Sequence, residues 1–334
     1  MTEAMLDDVR YAQMEQWLQS VLGQASFRLT PASGDASFRR YFRVLADRQT
    51  WIVMDAPPDK EDCKPFIELS AALLKLGLHA PEVHYQDLAQ GFLLLSDLGE
   101  VQYLQVLNEQ NVDGLYGDAL AALATLQASA AAHYTFKAYD DVLLMAEMNL
   151  FRDWLLTQHL GISLQESDKT MLEQAFSFLS ASARMQPQVP VHRDYHSRNL
   201  MHISGHNPGI LDFQDAVMGP VTYDLVSLLK DCYISWPRQR VEEWVRGYHS
   251  LALQSGILRE DNEAEFLRWF DLMGVQRHLK AAGIFARLNI RDQKPAYLQD
   301  IPRTLDYITE VSARYPELYA LHQFLMPVRE AAEI

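Results

Sequence analysis

The stretch that most constrains this 334-residue chain is His192-Arg193-Asp194-Tyr195-His196-Ser197-Arg198-Asn199. It runs on through Leu200 to Ile203, the turn cluster Ser204-Gly205-His206-Asn207-Pro208-Gly209, and then Ile210-Leu211-Asp212. Two short apolar runs around a Gly- and Pro-bearing cluster predict a β-hairpin. The residue just before the first strand of such a hairpin and the residue just after the second lie at the same end. Asn199 and Asp212 therefore become neighbours, with Asp194 in the loop that leads into them. Singly each is an ordinary turn residue; at fixed spacing beside a hairpin they make a candidate reaction centre.

The chain around this segment divides in two. Ahead of it, Phe27–Pro31, Tyr41–Leu45, Trp51–Met54 and Phe92–Leu95 read as short strands, with one helix at Pro65–Leu76. Beyond Ser96-Asp97-Leu98-Gly99 helices dominate: Leu115–Ala132, Val142–His159, Lys169–Ala183, Tyr223–Tyr233, Arg238–Ser255, Asn262–Leu288 and Ile301–Arg314. A chain of this length exceeds what one hydrophobic core usually supports. The expectation is an α+β fold of two lobes, residues 1–97 and 98–334, hinged near 95–99.

Phosphoryl transfer needs a carboxylate to take the proton of the attacking hydroxyl and oxygen ligands for Mg²⁺ on the nucleotide phosphates. Asp194 fits the base, and Asn199 with Asp212 fits the metal. The segment also matches the His-Arg-Asp-x-x-x-x-Asn pattern of kinase catalytic loops at all four fixed letters. His192 reads as a buried histidine bonded to backbone and Arg193 as one half of a surface ion pair. Eleven residues separate Asp212 from Asp224 and several make the Gly219-Pro220 turn, so no activation loop fits between them.

These residues resemble the aminoglycoside phosphotransferase and choline kinase-like family of small-molecule kinases, which implies a protein kinase-like fold with ATP and Mg²⁺ as cofactors. The runs Val191–Tyr195, Gly209–Ala216 and Gly219–Asp224 resemble those of bacterial kinases that phosphorylate the anomeric hydroxyl of N-acetylmuramate and N-acetylglucosamine. So do Asp35–Phe42, Met54–Pro58 and Asp271–Lys280. The resemblance implies formation of a sugar 1-phosphate in cell-wall sugar recycling. It further implies that Asp224 braces the catalytic loop through backbone amides, and it leaves Asp215 facing either the metal or a sugar hydroxyl, or holding structure. Another small-alcohol phosphotransferase, for an aminoglycoside, choline or a different sugar, and a nucleotide-binding pseudokinase are the alternatives.

On the nucleotide side, Gly34, Asp35, Ala36 and Ser37 form a candidate phosphate-covering loop, because a Gly turn with small side chains lets backbone N–H groups approach phosphates. Kinases place a Lys on the third strand, but Met54 occupies that position here. Either Arg40 or Arg43 supplies the charge, or metal and backbone contacts suffice. Ser96 and Leu98 mark the junction where main chain would meet adenine. Glu68, without its Lys partner, reads as a solvated helix residue.

On the acceptor side, Arg277, Lys280 and Arg287 are spaced to share a helix face. A carboxylate-bearing sugar calls for cations, whereas a polyamine calls for carboxylates. Arg277, His278, Tyr195 and His196 are the substrate candidates. A net charge of -15 argues against nucleic acid as a partner. Cys63 and Cys232 read as reduced thiols, and Met1–Arg10 shows no leader pattern. The expectation is a cytoplasmic enzyme with a small-molecule sugar substrate, no membrane segment and no obligate protein partner.

Overall fold

The computed structural model describes residues 9–24, 26–33 and 38–331. Strands β1 (Arg28–Ser33), β2 (Arg40–Ala46), β3 (Gln49–Asp55), β4 (Val83–Asp87) and β5 (Phe92–Ser96) form an antiparallel sheet in the order β1-β2-β3-β5-β4. Side chains alternate across it. Phe42, Val44, Val53, Phe92 and Leu94 fill one face against Tyr11, Met14 and Leu18 of helix α1 (Val9–Leu22). Met54, Leu93 and Leu95 fill the other, against Phe66, Leu69 and Leu73 of α2 (Lys64–Lys75). Neither α1 nor β4 was among the sequence expectations. The buried stripe of α1 is three residues wide, and β4 is a mostly polar edge strand, so both carry a weak periodic signal.

Helices make up most of the remainder: α3 (Tyr103–Val106), α4 (Val112–Ser129), α5 (Asp141–Leu150), α6 (Glu166–Met185), α7 (Tyr223–Leu229), α8 (Arg238–Gln254), α9 (Glu263–Asp292), α10 (Ile301–Ser312) and α11 (Tyr319–Ala331). The fold is therefore a small antiparallel-sheet lobe and a mainly helical lobe, as the sequence implied. Two small sheets interrupt the helices. One joins β6 (Lys137–Ala138), β7 (Gln188–Val191) and β10 (Val217–Pro220); the other is the hairpin β8 (Leu200–Met201) with β9 (Gly209–Ile210). No helix among the described residues is long and apolar enough to cross a membrane.

Helix α9 is the axis of the second lobe. Its mid-section is buried on all sides, Asp271 to Lys280 included. Gly283 crosses the point where α5 passes into a π-helical segment, Phe151–His159. A Cβ on Gly283 would lie 2.3 Å from the Leu150 carbonyl carbon and 2.5 Å from the Phe151 nitrogen. Only glycine lets the two backbones approach this closely, and the approach sets where α9 presents its side chains.

Candidate active site

The loop 192–199 connects β7 to β8. The hairpin is shorter than its apolar runs suggested, pairing Leu200 with Ile210 and Met201 with Gly209. Beyond it, His202 N–H bonds to the Val101 carbonyl instead (2.7 Å). The register still does what was expected: Leu211 N–H donates to the Asn199 carbonyl at 2.9 Å, and Asn199 Nδ2 lies 3.4 Å from Asp212 Oδ2. Asn199 Nδ2 also donates to the Asp194 carbonyl at 3.0 Å, tying the loop's two ends together.

Three buried groups hold the loop. Asp224, in the first turn of α7, accepts from the backbone N–H of His192 (2.6 Å) and of Arg193 (2.9 Å). Burial raises its carboxyl to about 6 despite those donors and His192 nearby. His192 is fully buried, as read. Its Nδ1 accepts from Asp194 N–H (3.2 Å), so the proton sits on Nε2, which faces the Leu211 carbonyl at 2.9 Å. Burial keeps the ring neutral. One imidazole thereby fixes the loop that carries Asp194 and the hairpin that ends at Asp212 to each other. Asp231, which sequence reasoning missed, accepts from Ser197 N–H (3.0 Å) and Oγ (2.5 Å).

Arg193 has φ +77° and Asp212 φ +62°, left-handed values that L side chains adopt at a cost of about 1–2 kcal/mol. The Arg193 conformation is held by Asp224 on its backbone and Glu147 on its guanidinium. This corrects the reading of Arg193 as a surface pair. Glu147, on α5, is buried, and it also meets the Tyr139 hydroxyl and Lys280 Nζ (3.1 Å). Burial works against its charge, but Lys280 and Arg193 hold it below the usual carboxylate range. Lys280 Nζ donates to the Tyr223 hydroxyl as well (3.0 Å).

Asp194 lines a cavity of about 780 Å³. Burial favours its neutral form, yet Lys280, Arg277 and Arg193 together hold its carboxyl below the ordinary value. The surroundings thus favour the charged form of a carboxylate that lines the cavity. Asn199, Asp212, His196, Arg198, Arg277 and Lys280 share the lining. Burial pushes the His196 ring down to about 4. Ala281, Ile284, Phe285 and Leu288 continue the wall along the same face of α9.

Other candidates lie elsewhere. Tyr195 is buried and points inward, donating from its hydroxyl to the Ala119 carbonyl (2.8 Å). His278 stacks on Tyr307 and bonds to the Lys230 carbonyl (2.8 Å). Asp215 meets Arg193 through its carbonyl (3.3 Å). None of the three is among the cavity-lining residues.

On the sheet side, Arg40 sits on the α1 face of β2 and bonds Asp55 (Nε to Oδ2 2.8 Å), which Arg10 also meets. Arg43, on the opposite face, lines the cavity and grips Asp97 (2.7 and 3.1 Å), the Gly99 carbonyl (2.8 Å) and Glu100. Alternation along the strand thus separates two arginines that the sequence left equivalent. Met54 is buried beneath α2, while Ile52, two residues earlier on the same face, reaches the cavity. Ser96 and Leu98 line it too, with Ser96 Oγ accepting from Glu82 N–H (2.8 Å). Gly34, Asp35, Ala36 and Ser37 lie outside the described residues.

The donor set beside Asp194 suits a hard divalent cation. The Asn199 amide nitrogen is engaged by the Asp194 carbonyl, which leaves its oxygen to ligate, and Asp212 adds a carboxylate. An amide oxygen, a carboxylate and waters are the ligands Mg²⁺ takes.

Comparison with known proteins agrees with this arrangement. Residues 28–270 match the model of the phosphotransferase enzyme family. An N-acetylmuramate/N-acetylglucosamine kinase of Pseudomonas aeruginosa is 46% identical over 98% of this chain and 100% of its own. One of Neisseria meningitidis is 40% identical over 95% of each chain. In fold, the chain resembles choline kinase LicA from Streptococcus pneumoniae (TM-score 0.62, 11% identity, covering 90% of this chain and 98% of that one). It also resembles the GDP complex of aminoglycoside 2'-phosphotransferase-IIIa (TM-score 0.60, 16% identity, covering 92% and 99%). The chain belongs to the phosphotransferase enzyme family and is a kinase.

Proposed function

We propose that the chain transfers the γ-phosphoryl group of ATP to the anomeric C1 hydroxyl of N-acetylmuramate and N-acetylglucosamine, making the sugar 1-phosphates in cytoplasmic cell-wall sugar recycling. The carrying observation is Asp194 on the cavity wall with Asn199 and Asp212 alongside and Lys280 and Arg277 favouring its charge. The names of relatives that match almost the whole chain supply the acceptor. The charge at that end of the cavity supports it, because Arg198, Arg277 and Lys280 suit an anionic or neutral sugar and oppose a polyamine.

In this reading Asp194 orients the C1 hydroxyl and takes its proton as the oxygen bonds to the γ-phosphorus and the bond to ADP breaks. An anomeric hydroxyl is more acidic than an ordinary alcohol, so a carboxylate with a lowered pKa suffices as base. Asn199 and Asp212 would hold Mg²⁺, which screens charge on the phosphates. His192 and Asp224 keep Asp194 and those ligands in one frame. Main chain at Ser96–Leu98 would receive adenine, and Gly34–Ser37 would cover the phosphates.

Phosphorus NMR with Mg-ATP and either sugar tests this. A sugar 1-phosphate signal without a 6-phosphate is the expected result. ATP binding without any sugar phosphate would overturn the assignment.

A further inference from the structure

Arg277 differs from every other cation on the cavity wall. It is 6% exposed, yet among the described residues no carboxylate lies within ion-pair distance of it. Its one polar contact is from Nη1 to the Cys232 sulfur at 3.7 Å, and its Nε has no partner. A thiol is a weak acceptor, and burial pushes the Cys232 thiol up, so it brings no negative charge. Lys280 by contrast is engaged by Glu147 and Tyr223, Arg43 by Asp97, and Arg198 lies over the Tyr233 ring. Asp194 and Asp231 favour the charge of Arg277 from beyond ion-pair distance, but neither accepts from it, and a buried guanidinium N–H without an acceptor is costly. It is accounted for when an anionic ligand completes the pair.

The position of Arg277 identifies which ligand. It lies on the α9 face that continues through Ala281, Ile284 and Leu288, whereas the sheet-and-hinge wall is made by Ile52, Ser96 and Leu98. It therefore belongs to the acceptor end. Resting on the function proposed above, we propose that Arg277 pairs with the lactyl carboxylate of N-acetylmuramate, the group that N-acetylglucosamine lacks, and so sets the preference between the two sugars. The planar guanidinium fits a carboxylate through two parallel hydrogen bonds.

The test is steady-state kinetics with both sugars on the wild type, Arg277→Met and Arg277→Lys. The ratio of kcat/KM for N-acetylmuramate to that for N-acetylglucosamine falls about ten- to hundredfold in Arg277→Met, the worth of a hydrogen-bonded charge. It falls less in Arg277→Lys, which keeps the charge but not the fork. A ratio that stays at the wild-type value overturns the inference, whatever happens to the individual rates. The N-acetylmuramate methyl ester probes the same pair from the ligand side on wild-type protein, and so does not depend on a variant that folds. Loss of the preference with the ester supports the pairing; an ester used as well as the acid overturns it. A wild type that phosphorylates neither sugar overturns the proposed function and this inference with it, whereas normal turnover of both sugars with an unchanged ratio overturns only the inference.

Discussion

The two walls of the cavity use charge in opposite ways. On the sheet side the arginine that lines the cavity, Arg43, is fastened to Asp97, and on the far face of the sheet Arg10 and Arg40 are fastened to Asp55. These pairs tie α1 to the sheet and β2 to the segment that follows β5. On the α9 side Lys280 shares the buried Glu147 with Arg193, which stands behind the wall, while among the described residues Arg198 and Arg277 have no carboxylate within ion-pair distance. The positive charge of Lys280, Arg277 and Arg193 falls on Asp194. A count of cations would not separate the walls; the pairing does, since one wall holds its cation in an ion pair and the other leaves two for a ligand.

The contrast breaks most sharply at Asp194. Replacing it with Asn keeps shape but removes the proposed base, and kcat should fall about 10²–10⁴-fold with ATP affinity little changed. Retention of near wild-type kcat would move the chemistry elsewhere. Both parameters follow from initial rates and nucleotide titration.

Acid should act next, through Asp224 and not through Asp194. The carboxyl of Asp194 is held below its ordinary value by Lys280 and its neighbours, whereas Asp224 is raised to about 6 by burial. A raised folded-state value means that protonation of Asp224 stabilises the fold: its contribution is present in full below the unfolded value near 3.9 and is lost as pH rises through about 6. Protonated Asp224 holds the two loop amides less well, so kcat declines as pH falls through about 6 while stability gains. The thermal midpoint of the wild type minus that of Asp224→Asn should therefore grow as pH drops from 7 to 5. A flat difference would show that Asp224 is not the titrating group.

Much of this site was legible because its geometry is local. Asp194, Asn199 and Asp212 sit within one loop and one hairpin, where spacing fixes neighbourhood. What was not legible depended on side-chain direction or on distant elements. His278 follows Arg277, but one residue on a helix is a rotation of about 100°, which turns it from the cavity to Tyr307. Tyr195 is interleaved with Asp194 and His196 in the loop and turns inward where they face the cavity. Glu147 reaches the loop from a helix that ends some forty residues before it, and no local pattern announces such a contact. Arg40 and Arg43 differ only by strand alternation, a rule available from sequence once the strand's faces are known.

Arg43 supplies the finest discrimination between the walls. Its guanidinium lines the cavity and stands near where a phosphate-gripping cation is wanted, with Met54 in place of the strand lysine. Yet each of its three nitrogens already donates to Asp97, the Gly99 carbonyl or Glu100. If it is architecture, Arg43→Gln loosens the Asp97–Gly99 segment and lowers the thermal midpoint, while KM for ATP rises by less than about threefold, under about 0.7 kcal/mol. If it is chemistry, the midpoint holds and KM for ATP climbs tenfold or more. Thermal unfolding and ATP saturation curves on one preparation separate the two, and the pairing of Arg43 with Asp97 favours the first.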